Sequence, residues 1–265
     1  MSVTIGTAAA NGFTMNYFSF GTGERPLVII PGISIKSVME SAEFVARAYD
    51  MFSEHYTVYV LDRRTELPEK YTVDEMGADT AAVMDSLGLR DAYIIGVSQG
   101  GCIAQIIAAR RPGLVKKMAL ESTISRLCPE SEKVVNEWVE LAKKHDKDGL
   151  NLVFAKGIYT DSYFERYKDA ITVMSRLYTY EELDRFVILA ESMSGYTVYD
   201  ELGKVNCPVL VIGGSEDRIF SPSCFKETAE KLHGELHIFE GYGHACYDEA
   251  PEAKQLIFEF FERDR

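Results

Sequence analysis

The stretch AYIIGVSQGGCIAQIIAARRPG, Ala92 to Gly113, decides how this chain reads. It opens on a short apolar run, Ala92 to Ile95, passes through Gly96-Val97-Ser98-Gln99-Gly100-Gly101, and continues apolar from Cys102 to Ala109. Strand patterning gives way to helix patterning at Ser98. Arg110-Arg111 closes the helical stretch where cations suit the helix dipole, and Pro112-Gly113 lies just beyond. Gly-x-Ser-x-Gly at a strand-to-helix junction is the pattern of a nucleophile elbow. A strained turn would lift the serine hydroxyl above the sheet. The Gln99 N–H would point into the same space from a helix N-terminus, where positive partial charge favours an oxyanion. At average Gly and Ser abundances of roughly 7% each, chance supplies this pattern about 0.1 times in such a chain. The strand–turn–helix setting is what raises it above a bland turn.

Strands and helices alternate on either side. Asn11-Gly12 joins two strands, Thr4 to Ala9 and Phe13 to Phe20, as a hairpin. PLVIIPG (from Pro26), YTVYVLD (from Tyr56) and VKKMALES (from Val115) read as further strands. SAEFVARAYDMF from Ser41 reads as a helix with Phe44, Val45, Ala48 and Phe52 on its apolar side. The stretch from Tyr71 reads as another, with Met76, Ala82 and Val83 inward and Gly88 as its stop. The pattern predicts an α/β fold, a mostly parallel doubly wound sheet. From Thr123 to about Asn206 no strand is evident. Four amphipathic helices are predicted there, over 131–146 and starting at Asp148, Asp161 and near Tyr180. Alternation then resumes with CPVLVIGGSED, SPSCFKETAEKL, GELHIFEGYGH and one closing helix in YDEAPEAKQLIFEFFER.

A parallel sheet carries its site at the carboxyl ends of its strands. Ser98 sits at one such end. A serine needs a histidine base, and the base needs a carboxylate to fix its tautomer. Asp217, in GGSED, follows a strand directly; Glu216 beside it and Glu121 at an earlier strand end are the alternatives. Of five histidines, His237 lies in a strand, His233 at a helix end, His145 in the helical stretch and His55 before a strand on the far side. His244 alone follows a strand in a glycine-rich loop, EGYGHACYDEAPE.

The order Ser98, Asp217, His244 is the one used by the α/β-hydrolase fold. The sequence resembles that superfamily over nearly its whole length. Residues 1–122 and 206–265 then correspond to the core and 123–205 to the inserted all-helical cap. The resemblance is to capped carboxylesterases, lactonases, carbon–carbon bond hydrolases and proline iminopeptidases. It implies a second oxyanion N–H at Ile33, after Pro31-Gly32, and a mechanism in which Ser98 attacks a carbonyl and water hydrolyses the acyl-enzyme. It implies neither a metal nor an organic cofactor. Two departures stand out. Many relatives have His-Gly where this chain has Pro31-Gly32, and LDRRTELPEK from Leu61 keeps Asp62 and an arginine but not the glycines of an Asp-x-Arg-Gly-x-Gly turn.

Composition narrows the function classes. The 265 residues are 46% hydrophobic and carry a formal charge of −13, which disfavours nucleic acid and anionic membranes as partners and says little about the substrate; the resemblance implies a small-molecule substrate. No apolar run is long enough to span a bilayer, and MSVTIGTAAANG lacks the pattern of a secretory signal. Five widely spaced cysteines without a CxxC pair fit reduced thiols in a cytoplasm, with Cys246 as a packing residue. Trp138, Phe154, Tyr159 and Phe186, with Phe164, Tyr178 and Met193, are candidates to line the substrate pocket. The expected activity is hydrolysis of a small, apolar carboxylic ester or lactone. The alternatives are a proline iminopeptidase-like aminopeptidase and a slow-turnover ligand sensor on the same fold. A haloalkane dehalogenase is disfavoured, because its nucleophile would be aspartate.

Overall fold

The structure is a computed structural model and describes residues 2–263. Eight strands form one sheet in the order β1-β2-β4-β3-β5-β6-β7-β8. They are β1 (Thr4–Ala10), β2 (Phe13–Phe20), β3 (Arg25–Ile30), β4 (Tyr56–Arg64), β5 (Ala92–Val97), β6 (Val115–Glu121), β7 (Val209–Gly214) and β8 (Glu235–Phe239). Pairing is antiparallel for β1–β2 and β2–β4 and parallel from β4 onward. All six residues of β5 and of β7 are buried. Continuous apolar strands of this kind are what a parallel sheet covered on both faces requires.

The helices are α1 (Ala42–Ala48), α2 (Val73–Ser86), α3 (Gln99–Arg110), α4 (Pro129–Lys143), α5 (Lys147–Ile158), α6 (Asp161–Met174), α7 (Tyr180–Glu191), α8 (Pro222–Leu232), α9 (Cys246–Glu249) and α10 (Ala253–Glu262). One hydrophobic core joins a sheet face to α2, α3 and α8; the other joins the opposite face to α1 and α10. The doubly wound architecture read from the sequence is therefore present.

Helices α4 to α7 lie between β6 and β7 in the chain. Their starts are written locally. Asp146 accepts from the Gly149 N–H, Thr160 from Tyr163, and Thr179 and Glu182 form a capping box. The insert leaves and rejoins the core through the isolated bridge Arg126–Thr197.

Two expectations are corrected. Helix α1 turns Ala42 and Ala46 inward, followed by Tyr49 and Phe52, and leaves Phe44 67% exposed. Val45, Ala48 and Phe52 pack against the second core as expected, so Phe44 alone departs from the expected face. The single closing helix is instead two, α9 and α10, separated at Ala250-Pro251. Proline removes an N–H donor and pushes the preceding residue out of helical geometry; Ala250 has φ −88° and ψ 115°.

Candidate active site

Ser98 caps α3 with φ 50° and ψ −118°, a conformation that L-residues adopt only when their surroundings enforce it. Here they do. The Ser98 N–H donates to the Glu121 carbonyl (2.8 Å), and the Ser98 carbonyl accepts from Gly101 N (2.9 Å) and Thr123 Oγ1 (2.6 Å). The glycines on either side make the turn possible. A Cβ on Gly100 would lie 1.9 Å from the Ile30 carbonyl oxygen, and one on Gly96 would lie 2.7 Å from Gly101 Cα.

Asp217 follows β7 in a turn that it also holds together. Its Oδ1 accepts from the N–H groups of Ile219 (2.7 Å) and Phe220 (2.8 Å), and its Oδ2 lies 2.7 Å from His244 Nδ1. Both side chains are almost wholly buried. An ionised carboxylate only accepts, so Nδ1 is the protonated nitrogen and Nε2 keeps a lone pair for a hydroxyl proton. The His244 ring stands edge-on to Phe220, and its carbonyl accepts from Ser122 Oγ at 2.6 Å. Neither Glu216 nor Glu121 is hydrogen-bonded to the ring among the described residues.

Ser98, Gln99, His244, Gly32 and Ile33 line one small space of about 30 Å³. That is room for one or two water molecules. Trp138, Phe154 and Met193 of the insert roof it, together with Ile219 and Phe220. No hydrogen bond joins Ser98 Oγ to His244 among the described residues, a looseness common where no substrate is bound. A wider groove of about 600 Å³ adjoins this space through Gly32, Ile33, Phe154 and Tyr247.

Of the aromatic candidates, Trp138 and Phe154 line the space over Ser98, while Tyr159 and Tyr178 line the groove. Phe186 lines neither; it is fully buried behind Trp138 and Phe154 and braces their rings. Phe164 is buried within the insert. The Cys246 thiol is pushed up to about 12 by burial, as suits a packing residue.

The Gln99 side chain was not singled out by sequence reasoning. Its amide donates to the Leu189 carbonyl (2.8 Å) and Ser192 Oγ (2.9 Å) at the end of α7, and its oxygen accepts from Arg63 (3.1 Å). Arg63 also donates to the Pro31 carbonyl at 2.8 Å. Burial pulls its guanidinium down to about 10, so it stays charged at neutral pH. Next to it, Asp62 receives Arg185 of α7 (2.9 Å) and Ser37 (2.5 Å). Side chains from the end of β4, where the usual glycine turn is lacking, thus tie the elbow, the Pro31 loop and the insert together. No group of three or more His, Cys, Asp or Glu side chains among the described residues is placed to hold a metal.

The model of the alpha/beta hydrolase fold family matches residues 25–165. The chain belongs to that family. This hydrolase is 22% identical over 256 residues to 3-oxoadipate enol-lactonase 2 of Acinetobacter baylyi, covering 93% of this chain and 92% of the relative. It is 24% identical to (E)-2-((N-methylformamido)methylene)succinate hydrolase of the same organism, covering 92% of each. Among solved structures, an alpha/beta hydrolase enzyme from a Medee basin deep-sea metagenome library superposes with a TM-score of 0.87 at 24% identity, over 98% of each chain. The enol-lactonase of Burkholderia xenovorans superposes at 0.83 and 22%, over 97% of this chain and 99% of the other. At these identities the structural likeness establishes the fold. No helix among the described residues is long and apolar enough to cross a membrane.

Proposed function

We propose that this hydrolase cleaves a small carboxylic ester or lactone with an apolar body through an acyl-enzyme on Ser98. The observation that carries the reading is the buried Asp217–His244 pair at 2.7 Å, facing the same space as a serine held at φ 50°. In this reading His244 Nε2 takes the Ser98 hydroxyl proton as Oγ attacks the carbonyl. Asp217 stabilises the imidazolium and holds its tautomer. The N–H groups of Gln99 and Ile33 receive the oxyanion. His244 returns the proton to the leaving oxygen, and then activates water against the acyl-enzyme. Helices α4 to α7, within residues 123–205, act as a cap over the core formed by 1–122 and 206–265. The apolar roof supports a substrate with an apolar body. The names of the enol-lactonase and the other hydrolase relative support carbonyl hydrolysis. The cysteines, all free, support residence in a reducing cytoplasm.

The test is a fluorophosphonate probe followed by peptide mapping, with an ester panel run in parallel. The expected adduct is on Ser98, and Ser98→Ala should lose both the adduct and turnover while keeping its melting temperature. Asp217→Asn should lower kcat on the order of 10⁴-fold, because the wrong tautomer then faces the serine. An adduct elsewhere, or an active Ser98→Ala protein, would overturn the nucleophile assignment.

A further inference from the structure

The groove beside the catalytic space has its own chemistry. Tyr49, Tyr159, Tyr178 and Tyr247 line it, together with one carboxylate on its inner wall, Asp248. Asp248 keeps 41% of its side-chain surface open and pairs with Lys254 at 3.5 Å, an ammonium that also donates to the Tyr247 carbonyl at 2.6 Å. That same Lys254 ammonium sits 5.1 Å from the centre of the Tyr49 ring, so the wall already seats one cation against an aromatic face. Behind this wall lies Glu121. It pairs in register with Val97, which lines the groove, so both side chains leave the same sheet face. Glu121 is wholly inaccessible, and neither carboxyl oxygen has a hydrogen-bond partner. Buried polar groups are almost always partnered, so this carboxyl calls for a cause. At the mouth, Lys36 is held at 2.9 Å by both Glu40 and Glu182. Two carboxylates, Glu40 and Asp248, therefore line the groove with one ammonium, Lys36, and the buried Glu121 carboxyl backs it.

We propose that this groove binds the cationic arm, a substituted ammonium, of the ester cleaved at Ser98, with Asp248 as its counter-charge and the tyrosine rings as its walls. The proposal rests on the hydrolase reading for the position of the reacting carbonyl, and it names the substrate class. Carboxylate plus aromatic faces is the chemistry that recognises ammonium, through Coulomb attraction and the ring quadrupole together. The shared walls at Gly32 and Ile33 put the arm and the reacting carbonyl within one molecule's reach. Glu121 adds a reserve of charge. Burial pushes its carboxyl up to about 8, against Lys254, which lowers it, and Asp248, which raises it. A cation in the groove would draw it down and release a proton near neutral pH.

The experiment compares two non-reacting probes of one shape, choline and 3,3-dimethylbutan-1-ol, by calorimetric titration of the wild-type protein. Choline should bind at least about ten-fold tighter. Its heat should vary with the ionisation heat of the buffer, reporting proton release, and Glu121→Gln should abolish that variation. Asp248→Asn should remove most of the preference for choline while the neutral alcohol binds as before. Equal or tighter binding of the neutral probe to the wild-type protein overturns the proposal without reference to any variant. Because binding needs no turnover, this failure is distinct from a failure of Ser98 to label.

Discussion

Two carboxyls at the ends of neighbouring strands meet opposite fates. Asp217 receives two backbone N–H groups and a histidine; Glu121 receives no donor. The consequence for Glu121 is a pH dependence of known sign. Its folded pKa, about 8, stands above the ordinary carboxylate value of 4.5, so the native state holds a proton that the unfolded chain has released. Stability from this group is complete below about pH 4.5, falls as pH rises through the window, and levels off above about 8. Melting curves of wild type and Glu121→Gln between those limits should separate steadily in favour of the variant as pH rises; parallel curves would show that Glu121 does not titrate there. Sequence reasoning names both carboxyls as candidates because each ends a strand. It separates them less well, because the face on which a terminal side chain emerges depends on sheet register. Ser98 and His244 are more legible, since each stands in a local motif of glycines that serves one geometry.

At the scale of elements, the elbow ties α3 to β3 at a single crowded contact. Gly100→Ala places a methyl group 1.9 Å from the Ile30 carbonyl oxygen, and no side-chain movement relieves it. Urea unfolding should show a loss of at least ~3 kcal/mol, or the protein should fail to accumulate in solution. Gly113→Ala, where a Cβ meets nothing within 4 Å, is the control and should change little. The eight strands and the four inserted helices are readable because hydrophobic period and capping residues agree locally. The inward face of α1 is readable only in part: Val45, Ala48 and Phe52 pack against the core, and Phe44 does not. Period identifies an apolar stripe, but the most deeply buried positions of α1 are Ala42 and Ala46, and that choice belongs to packing. The division of the last helix stands in the sequence at Ala250-Pro251, and the apolar residues on both sides conceal it.

For the whole molecule the question is how the insert sits on the core. Sequence reasoning bounds the insert but carries no information on its seating, because that is set by contacts between distant residues such as Gln99 with Ser192 and Arg185 with Asp62. One contact of this kind offers a handle. Cys128, at the start of α4, and Cys224, on α8, bring their sulfurs to 4.0 Å. Treatment with diamide, which accepts the two thiol hydrogens, should join them as a disulfide visible in non-reduced peptide maps. Closing a loop of nearly a hundred residues should raise the melting temperature, and turnover should fall until dithiothreitol is added. Cys128→Ser should be indifferent to the oxidant; an oxidised enzyme with undiminished turnover would mean that the insert need not lift.

The tight roof over Ser98 has a kinetic meaning. A space of about 30 Å³ over Ser98 holds little more than water, so a bulky acyl group reaches the serine from the adjoining groove or by displacing Trp138, Phe154 and their neighbours. Such a displacement is made against the friction of the surrounding liquid. With substrates whose bond cleavage is fast, turnover should then fall as solvent viscosity is raised; with sluggish substrates it should not. In the proposed reaction the same roof would shield the acyl-enzyme from nucleophiles larger than water.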